Sequence, residues 1–318
     1  MAYKSIKFIE VKSEIAAGTR GASLGVDALK IASIDTGSAF FRDYEADVVE
    51  TSNDVLFTKT HTPYAKYIDK VVEMEARVFK AVSKAAKNNE FPFVLAGDHS
   101  TAAGTIAGIK SADPNKNLGV IWIDAHADLH TPYTTPSGNM HGMPLAMAAA
   151  IDNLEHQVNE PSKKSIELWD KLKKIGGEGA KIHLENIVFI SARDLEQPEE
   201  ALLKKHNIRN FTTEEVREKG TKQIAQEALE QLEACDCIYV SFDVDSMDAE
   251  ISVGTGTPVP NGLTVEEAIE LNKFIVAHQK VCAWEIVEVN PTLDTENSMA
   301  ENALQVMEAV RVVVESRL

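Results

Sequence analysis

Cysteine is almost missing from this chain: Cys235, Cys237 and Cys282 are the only three in 318 residues. That is too few for a disulfide framework, and an odd number suits a reducing compartment, so a cytoplasmic protein is expected. Cys235 and Cys237 are spaced like half of a metal clip, but they open an apolar run and read as core packing. No run of about 18 apolar residues occurs, which excludes a helical membrane span. The first residues show no apolar stretch followed by a small-residue cleavage site, so no export signal is expected. Cations are also scarce: 32 Lys and Arg face 49 Asp and Glu, a net charge of −17. Binding a phosphate backbone needs clustered cations, so neither nucleic acid nor an anionic membrane is an expected partner. An acidic field of this size serves solubility or draws in a cationic small molecule. Internal repeats, low-complexity tracts and Pro/Gly/Ser-rich linkers are absent as well, and a single domain over residues 1–318 is the economical reading.

What the chain does have is a regular alternation of two patterns. Short apolar, β-branched runs at Ile6–Val11, Phe91–Ala96, Leu118–Ile123, Asn186–Ser191, Cys237–Phe242 and Val281–Val289 read as strands. Between them lie helical patterns, the clearest being Tyr64–Lys87, where Ile68, Val71, Val72, Val78, Phe79 and Val82 recur at helical spacing. Others cover Leu24–Ser33, Thr101–Lys110, Pro144–Ile151, Glu199–His206, Glu214–Glu233, Val265–His278 and Met299–Glu315. The polar segment Asp152–Lys181 reads as a surface excursion around one helix, Ser165–Ile175. Strands apolar along their whole length, separated by helices, belong in a parallel sheet covered on both faces. The fold class expected is therefore α/β.

Chemistry is concentrated behind four of those strands. Gly97-Asp98-His99-Ser100 follows Phe91–Ala96, and Asp124-Ala125-His126-Ala127-Asp128 follows Leu118–Ile123. Ser241-Phe242-Asp243-Val244-Asp245 closes the run from Cys237, and Glu288-Val289-Asn290-Pro291 ends the last one. Parallel sheets build their sites beyond the carboxyl ends of strands, so these distant pieces can converge. In extended chain, residues i, i+2 and i+4 point the same way, which lets Asp124, His126 and Asp128 project together, and likewise Asp243 and Asp245. Singly each piece has a bland explanation: a polar loop, a turn, or a cap on the helix beginning near Thr101. Jointly they do not, because so many acids beside His99 and His126 cannot share an apolar crevice uncompensated. Divalent cations remove the penalty. Six side chains rich in oxygen donors suit two metals sharing carboxylates, and such a set favours Mn²⁺ over Zn²⁺.

These motifs, with Asp248 and Gly256-Thr257-Pro258-Val259, make the chain resemble the ureohydrolase family over about Gly18 to Glu308. The resemblance implies a three-layer α/β/α sandwich around a mainly parallel sheet and a binuclear manganese centre with two Mn²⁺ per chain. By matched position, His99, Asp124, Asp128 and Asp243 would hold one metal. His126, Asp124, Asp243 and Asp245 would hold the other. The implied reaction is attack of a metal-bridging hydroxide on a guanidinium carbon, releasing urea. Asp128 would handle the nucleophile's proton, His141 resembles a proton-shuttling histidine, and Glu288 would pair with the guanidinium, steadied by Thr257. The resemblance also implies a homo-oligomer, trimer or hexamer.

The loop after Asp128 bears on the subfamily. Thr131-Pro132 and Ser137-Gly138-Asn139-Met140-His141-Gly142-Met143-Pro144 are similar to true arginases, in which the Ser and Asn hold the substrate's α-carboxylate. Agmatine has no carboxylate, so Ser137 and Asn139 favour L-arginine, with agmatine or another guanidino acid as the alternative. Two positions depart from the arginase pattern. His130 stands where an Asn contacting the carboxylate is usual, and Glu196 stands where an Asp near the α-amino group is usual. Both are still expected to bind substrate. Two rival classes remain: a catalytically silent metal-binding scaffold, and a single-zinc deacylase of the related histone deacetylase type, which would not need His99 and Asp128.

Overall fold

The computed structural model describes residues 3–42 and 44–318. Eight strands form one parallel sheet: β1 (Ser5–Val11), β2 (Ala46–Val48), β3 (Glu90–Ala96), β4 (Leu118–Ile123), β5 (Ile187–Ile190), β6 (Arg209–Phe211), β7 (Cys237–Asp243) and β8 (Val281–Val287), in the order β2-β1-β3-β8-β7-β4-β5-β6. Every pairing is parallel. Among the described residues ten α-helices accompany them: α1 (Gly25–Asp35), α2 (Ile68–Lys87), α3 (Ala102–Ala112), α4 (Pro144–Ala149), α5 (Lys163–Lys173), α6 (Gln197–Lys205), α7 (Thr213–Lys219), α8 (Thr221–Gln231), α9 (Val265–Val276) and α10 (Ser298–Glu315). The helices α2 to α5 pack on one another as one layer, and α1 with α7 to α10 as the other.

Central strands β3, β4, β7 and β8 are buried almost end to end, which is why their sequences are apolar on both faces of the pleat. The core between the layers is filled by large rings, among them Phe93, Trp122, Tyr239, Phe242 and Trp284. Phe93 and Trp284 face one another from neighbouring strands with centroids 4.7 Å apart, and the Trp284 indole N–H donates to Asn272 Oδ1 of α9 at 2.7 Å. All three cysteines are buried without a disulfide, as core residues.

Where the structure departs from the sequence reading, backbone geometry is the reason. The last strand stops at Val287, not Val289, because Glu288 adopts a left-handed φ of +66°. The helix expected from Tyr64 begins only at Ile68, since Tyr67 is also left-handed, and residues 62–67 become a loop over the site. The stretch expected as one helix over Glu214–Glu233 is two, broken at Gly220 with φ +87°. Strands β2 and β6 were not anticipated; at three residues each they carry too little apolar alternation to stand out, and they pair only at the sheet edges.

Trp284→Ala empties a fully buried site and removes the hydrogen bond to Asn272. Urea denaturation should show about 3–5 kcal/mol lost; a loss below about 1 kcal/mol would contradict the core packing described.

Candidate metal centre and substrate pocket

Four strands that lie side by side, β3, β8, β7 and β4, deliver Asp98, His99, Asp124, His126, Asp128, Asp243, Asp245 and Glu288. Glycine makes the first delivery possible: a Cβ on Gly97 would sit 2.0 Å from the Ser13 carbonyl oxygen, so only glycine lets the β1 and β3 loops close. Asp98 then ties those loops together, accepting from Ser13 Oγ and Ala16 N–H, each at 3.3 Å, and from Ser100 N–H. Burial and the nearby Glu288 push the Asp98 carboxyl up to about 6.

His99 comes next, lying flat against Trp122 with ring centroids 4.1 Å apart. Its Nε2 is 2.8 Å from Ser241 Oγ, and its Nδ1 is 3.1 Å from one carboxylate oxygen each of Asp124, Asp128 and Asp243. His99 Nδ1 and Asp124 Oδ2 are both enclosed, and neither makes a well-aligned hydrogen bond. Burial alone would lower the His99 pKa, but the three surrounding carboxylates raise it well above the ordinary imidazole value. Three carboxylate oxygens converging on one ring nitrogen are satisfied only by positive charge among them, whether a proton or a metal ion.

A second constellation adjoins the first. His126 Nδ1 lies 3.1 Å from Asp245 Oδ2 and 3.4 Å from Asp124 Oδ1. Of the three groups suited to a cation among the described residues, two lie here, His99 with Asp124 and Asp128, and Asp124 with His126 and Asp245; Asp124 belongs to both, while the third, His130 with Glu196 and Glu199, shares no residue with either. Burial and the charges of Asp245 and Asp124 drive the Asp243 carboxyl well above its ordinary range, and burial with the charge of Asp124 raises Asp128. Backbone hydrogen bonds aim the set: Asp245 N–H donates to Asp243 Oδ1, Ala125 N–H to Asp245 Oδ1, and His126 N–H to Asp124 Oδ1. Orphaned buried donors, a shared carboxylate and oxygen-rich composition all fit a pair of divalent cations.

Asp128 and Glu288 share an unusual backbone feature, left-handed φ values of +50° and +66°. A non-glycine residue in that region carries a cost of order 1–3 kcal/mol, tolerated where a side chain must be aimed. Glu288 is held by its own N–H on Gly97 O, while its Oε1 accepts from His99 N–H at 2.9 Å and lies 3.2 Å from His141 Nδ1. Burial would raise the Glu288 carboxyl, but these partners hold it below its usual range. Burial likewise opposes protonation of His141, yet Glu288, Asp128 and Asp98 raise its pKa.

A pocket of about 240 Å³ opens over this centre, and its lining includes Thr135, Ser137 and Asn139 as well as Asp194, Glu196 and Glu199. That volume is below the range for drug-sized ligands and fits a small linear metabolite. Two expectations about its walls need correction. His130 lines the pocket, but both ring nitrogens are engaged, Nδ1 with Thr134 Oγ1 at 3.1 Å and Nε2 with Glu196 Oε2 at 3.0 Å. It therefore holds Glu196 in place instead of offering a donor to a carboxylate. Thr257 donates to Asp245 Oδ2 at 3.1 Å, not to Glu288.

Three residues at the site were not singled out from sequence. Ser241 meets His99, and its strand position two residues before Asp243 was the available signal. Glu199, buried and raised to about 8 by burial, accepts from Leu129 N–H and shares the N-terminal turn of α6 with Glu196. Bonding to His130 draws Glu196 down to about 2, so that of these two adjacent acids it is the charged one. Arg193 donates to the carbonyls of Asp245, Val259 and Pro260, pinning the loop that carries Asp245 and Thr257.

The pattern of the Arginase family matches residues 4–312. The chain belongs to the arginase family. It is 35% identical over 312 residues to an arginase of Brevibacillus brevis, covering 96% of this chain and 97% of that protein. The crystal structure of Bacillus subtilis arginase superposes with a TM-score of 0.80 at 30% identity, covering 97% and 98% of the two chains. That of Entamoeba histolytica arginase in complex with L-ornithine gives 0.81 at 26% identity, covering 98% and 99%. The three-layer α/β fold expected from sequence is thus that of an arginase-family hydrolase acting on amidine C–N bonds.

Since Asp124 lies in both cation groups, Asp124→Ala should disable the pair at once. Saturating Mn²⁺ should raise the Tm of the unaltered protein by about 5 °C or more. The variant should show no such rise; an equal rise in both would refute the assignment.

Proposed function

We propose that the chain is a dimanganese arginase that hydrolyses L-arginine to urea and ornithine. The observation carrying this reading is the pairing of a shared-carboxylate cation centre with a pocket lined both by hydroxyl and amide groups and by acids. Two divalent cations bound by His99, Asp124, His126, Asp128, Asp243 and Asp245 would acidify water and stabilise negative charge developing at the reacting carbon.

The protein's own groups supply the rest. Glu288 Oε1 is occupied by His99 N–H and His141, which leaves Oε2 to receive a guanidinium N–H. Gly256 lies beside Oε2, and a Cβ there would come 3.7 Å from that oxygen and 3.1 Å from Thr19 Oγ1. Asp128, aimed into the centre by its left-handed backbone, accepts the proton of the attacking water. His141, with Nδ1 on Glu288, keeps Nε2 for protonating the leaving amine. Ser137 and Asn139 receive the α-carboxylate, while Glu196, steadied by His130, takes the α-ammonium. Agmatine, lacking the carboxylate, would leave the Ser137 and Asn139 donors without a charged partner and so forgo about 1 kcal/mol or more of binding. Other guanidino acids lack the ammonium and would leave Glu196 unmatched. The same reading takes residues 1–318 as one domain in a cytoplasmic homo-oligomer, trimer or hexamer, with no nucleic-acid partner. The buried, unlinked cysteines support the compartment.

Urea release measured side by side from L-arginine, agmatine, guanidinobutyrate and guanidinopropionate should favour L-arginine. A preference for agmatine would overturn the role given to Ser137 and Asn139. Asp128→Ala and His126→Ala should each cut kcat/KM for L-arginine more than about a hundredfold; full urea production from either would rule out this centre.

A further inference from the structure

Lys66 lies outside the catalytic centre, in the loop that precedes α2, and its ammonium donates to Asn139 Oδ1 at 2.8 Å. The loop is docked on the Ser137–Asn139 turn. Lys66 N–H donates to the Gly138 carbonyl at 2.9 Å, and a Cβ on Gly138 would lie 1.7 Å from the Pro63 carbonyl oxygen. An ammonium has only donors, so the Asn139 side chain can present nothing but its oxygen to Lys66. Its Nδ2 is thereby turned the other way. Gly18 keeps space open beside that nitrogen, where any Cβ would come within 2.8 Å. Ser137 is set similarly: its Oγ accepts from Asn139 N–H at 3.1 Å, leaving the hydroxyl proton to donate elsewhere. The titratable residues lining the pocket are acids and histidines, with no Lys or Arg among the described lining residues.

We propose that Lys66 is a positioning residue that makes this pocket selective for substrates bearing a carboxylate. It fixes the Asn139 amide as a donor and adds the positive charge that the acidic surroundings lack. The inference rests on the reading of the pocket as an amino-acid site, and it assigns Lys66 no part in cleavage.

The test compares the Mn²⁺-loaded protein with Lys66→Met and Lys66→Arg. Titration calorimetry with L-ornithine and with putrescine, which differ by the carboxylate alone, reads the inference without any turnover. Lys66→Met should weaken L-ornithine about tenfold and putrescine less than about twofold, and Lys66→Arg should recover most of the loss. In steady-state assays KM for L-arginine should rise by a similar factor with kcat within about twofold, because no transition-state contact is lost. Equal weakening of both ligands would mark Lys66 as merely structural, and unchanged L-ornithine binding would also overturn the proposal. Failure of the unaltered protein to hydrolyse L-arginine would instead overturn the proposed function, while the ornithine–putrescine comparison still decides the role of Lys66.

Discussion

The structure depends on one electrostatic constraint. Four buried aspartates, Asp124, Asp128, Asp243 and Asp245, gather with His99 and His126 where neighbouring strands end. Like charges so placed repel strongly in a medium of low dielectric. Positive charge at their centre is the condition under which the arrangement is stable. Much else follows from holding that set in register: Gly97 lets two loops close, Trp122 flattens the His99 ring, and Arg193 clamps the loop behind Asp245.

The sheet order explains how distant segments meet. β3 and β4 are consecutive among the central strands, yet β8 and β7 lie between them. Residues from about 98, 124, 243 and 288 thus become neighbours across a few strand widths, each about 4.8 Å. Left-handed backbone at Asp128 and Glu288 then turns the chain sharply, so that each carboxylate points inward instead of continuing along its strand. The cost of that conformation falls on the two residues proposed to take the proton and the guanidinium.

The fold and the cluster of acids and imidazoles that could hold metal were legible in sequence because their signals are periodic. Apolar runs mark the four central strands, and Asp-x-His-x-Asp and Asp-x-Asp place donors on one face of an extended chain. The pocket walls were legible only in part. His130 and Glu196 stood out as two separate departures from the arginase pattern, but the structure shows them bonded to each other, a pairing across 66 positions that no local pattern reports. Thr257 was assigned to Glu288, but its hydroxyl donates to Asp245, a choice between two nearby acids that no local pattern reports. Lys66 escaped notice because it falls in a segment whose helical periodicity runs on past the point where Tyr67 breaks the helix.

The most direct test of the central claim is crystallographic. Crystals grown with Mn²⁺ and measured near the manganese absorption edge should show two anomalous peaks per chain, one on each side of the Asp124 carboxylate. A single peak, or none among His99, Asp124, His126, Asp128, Asp243 and Asp245, would contradict the account.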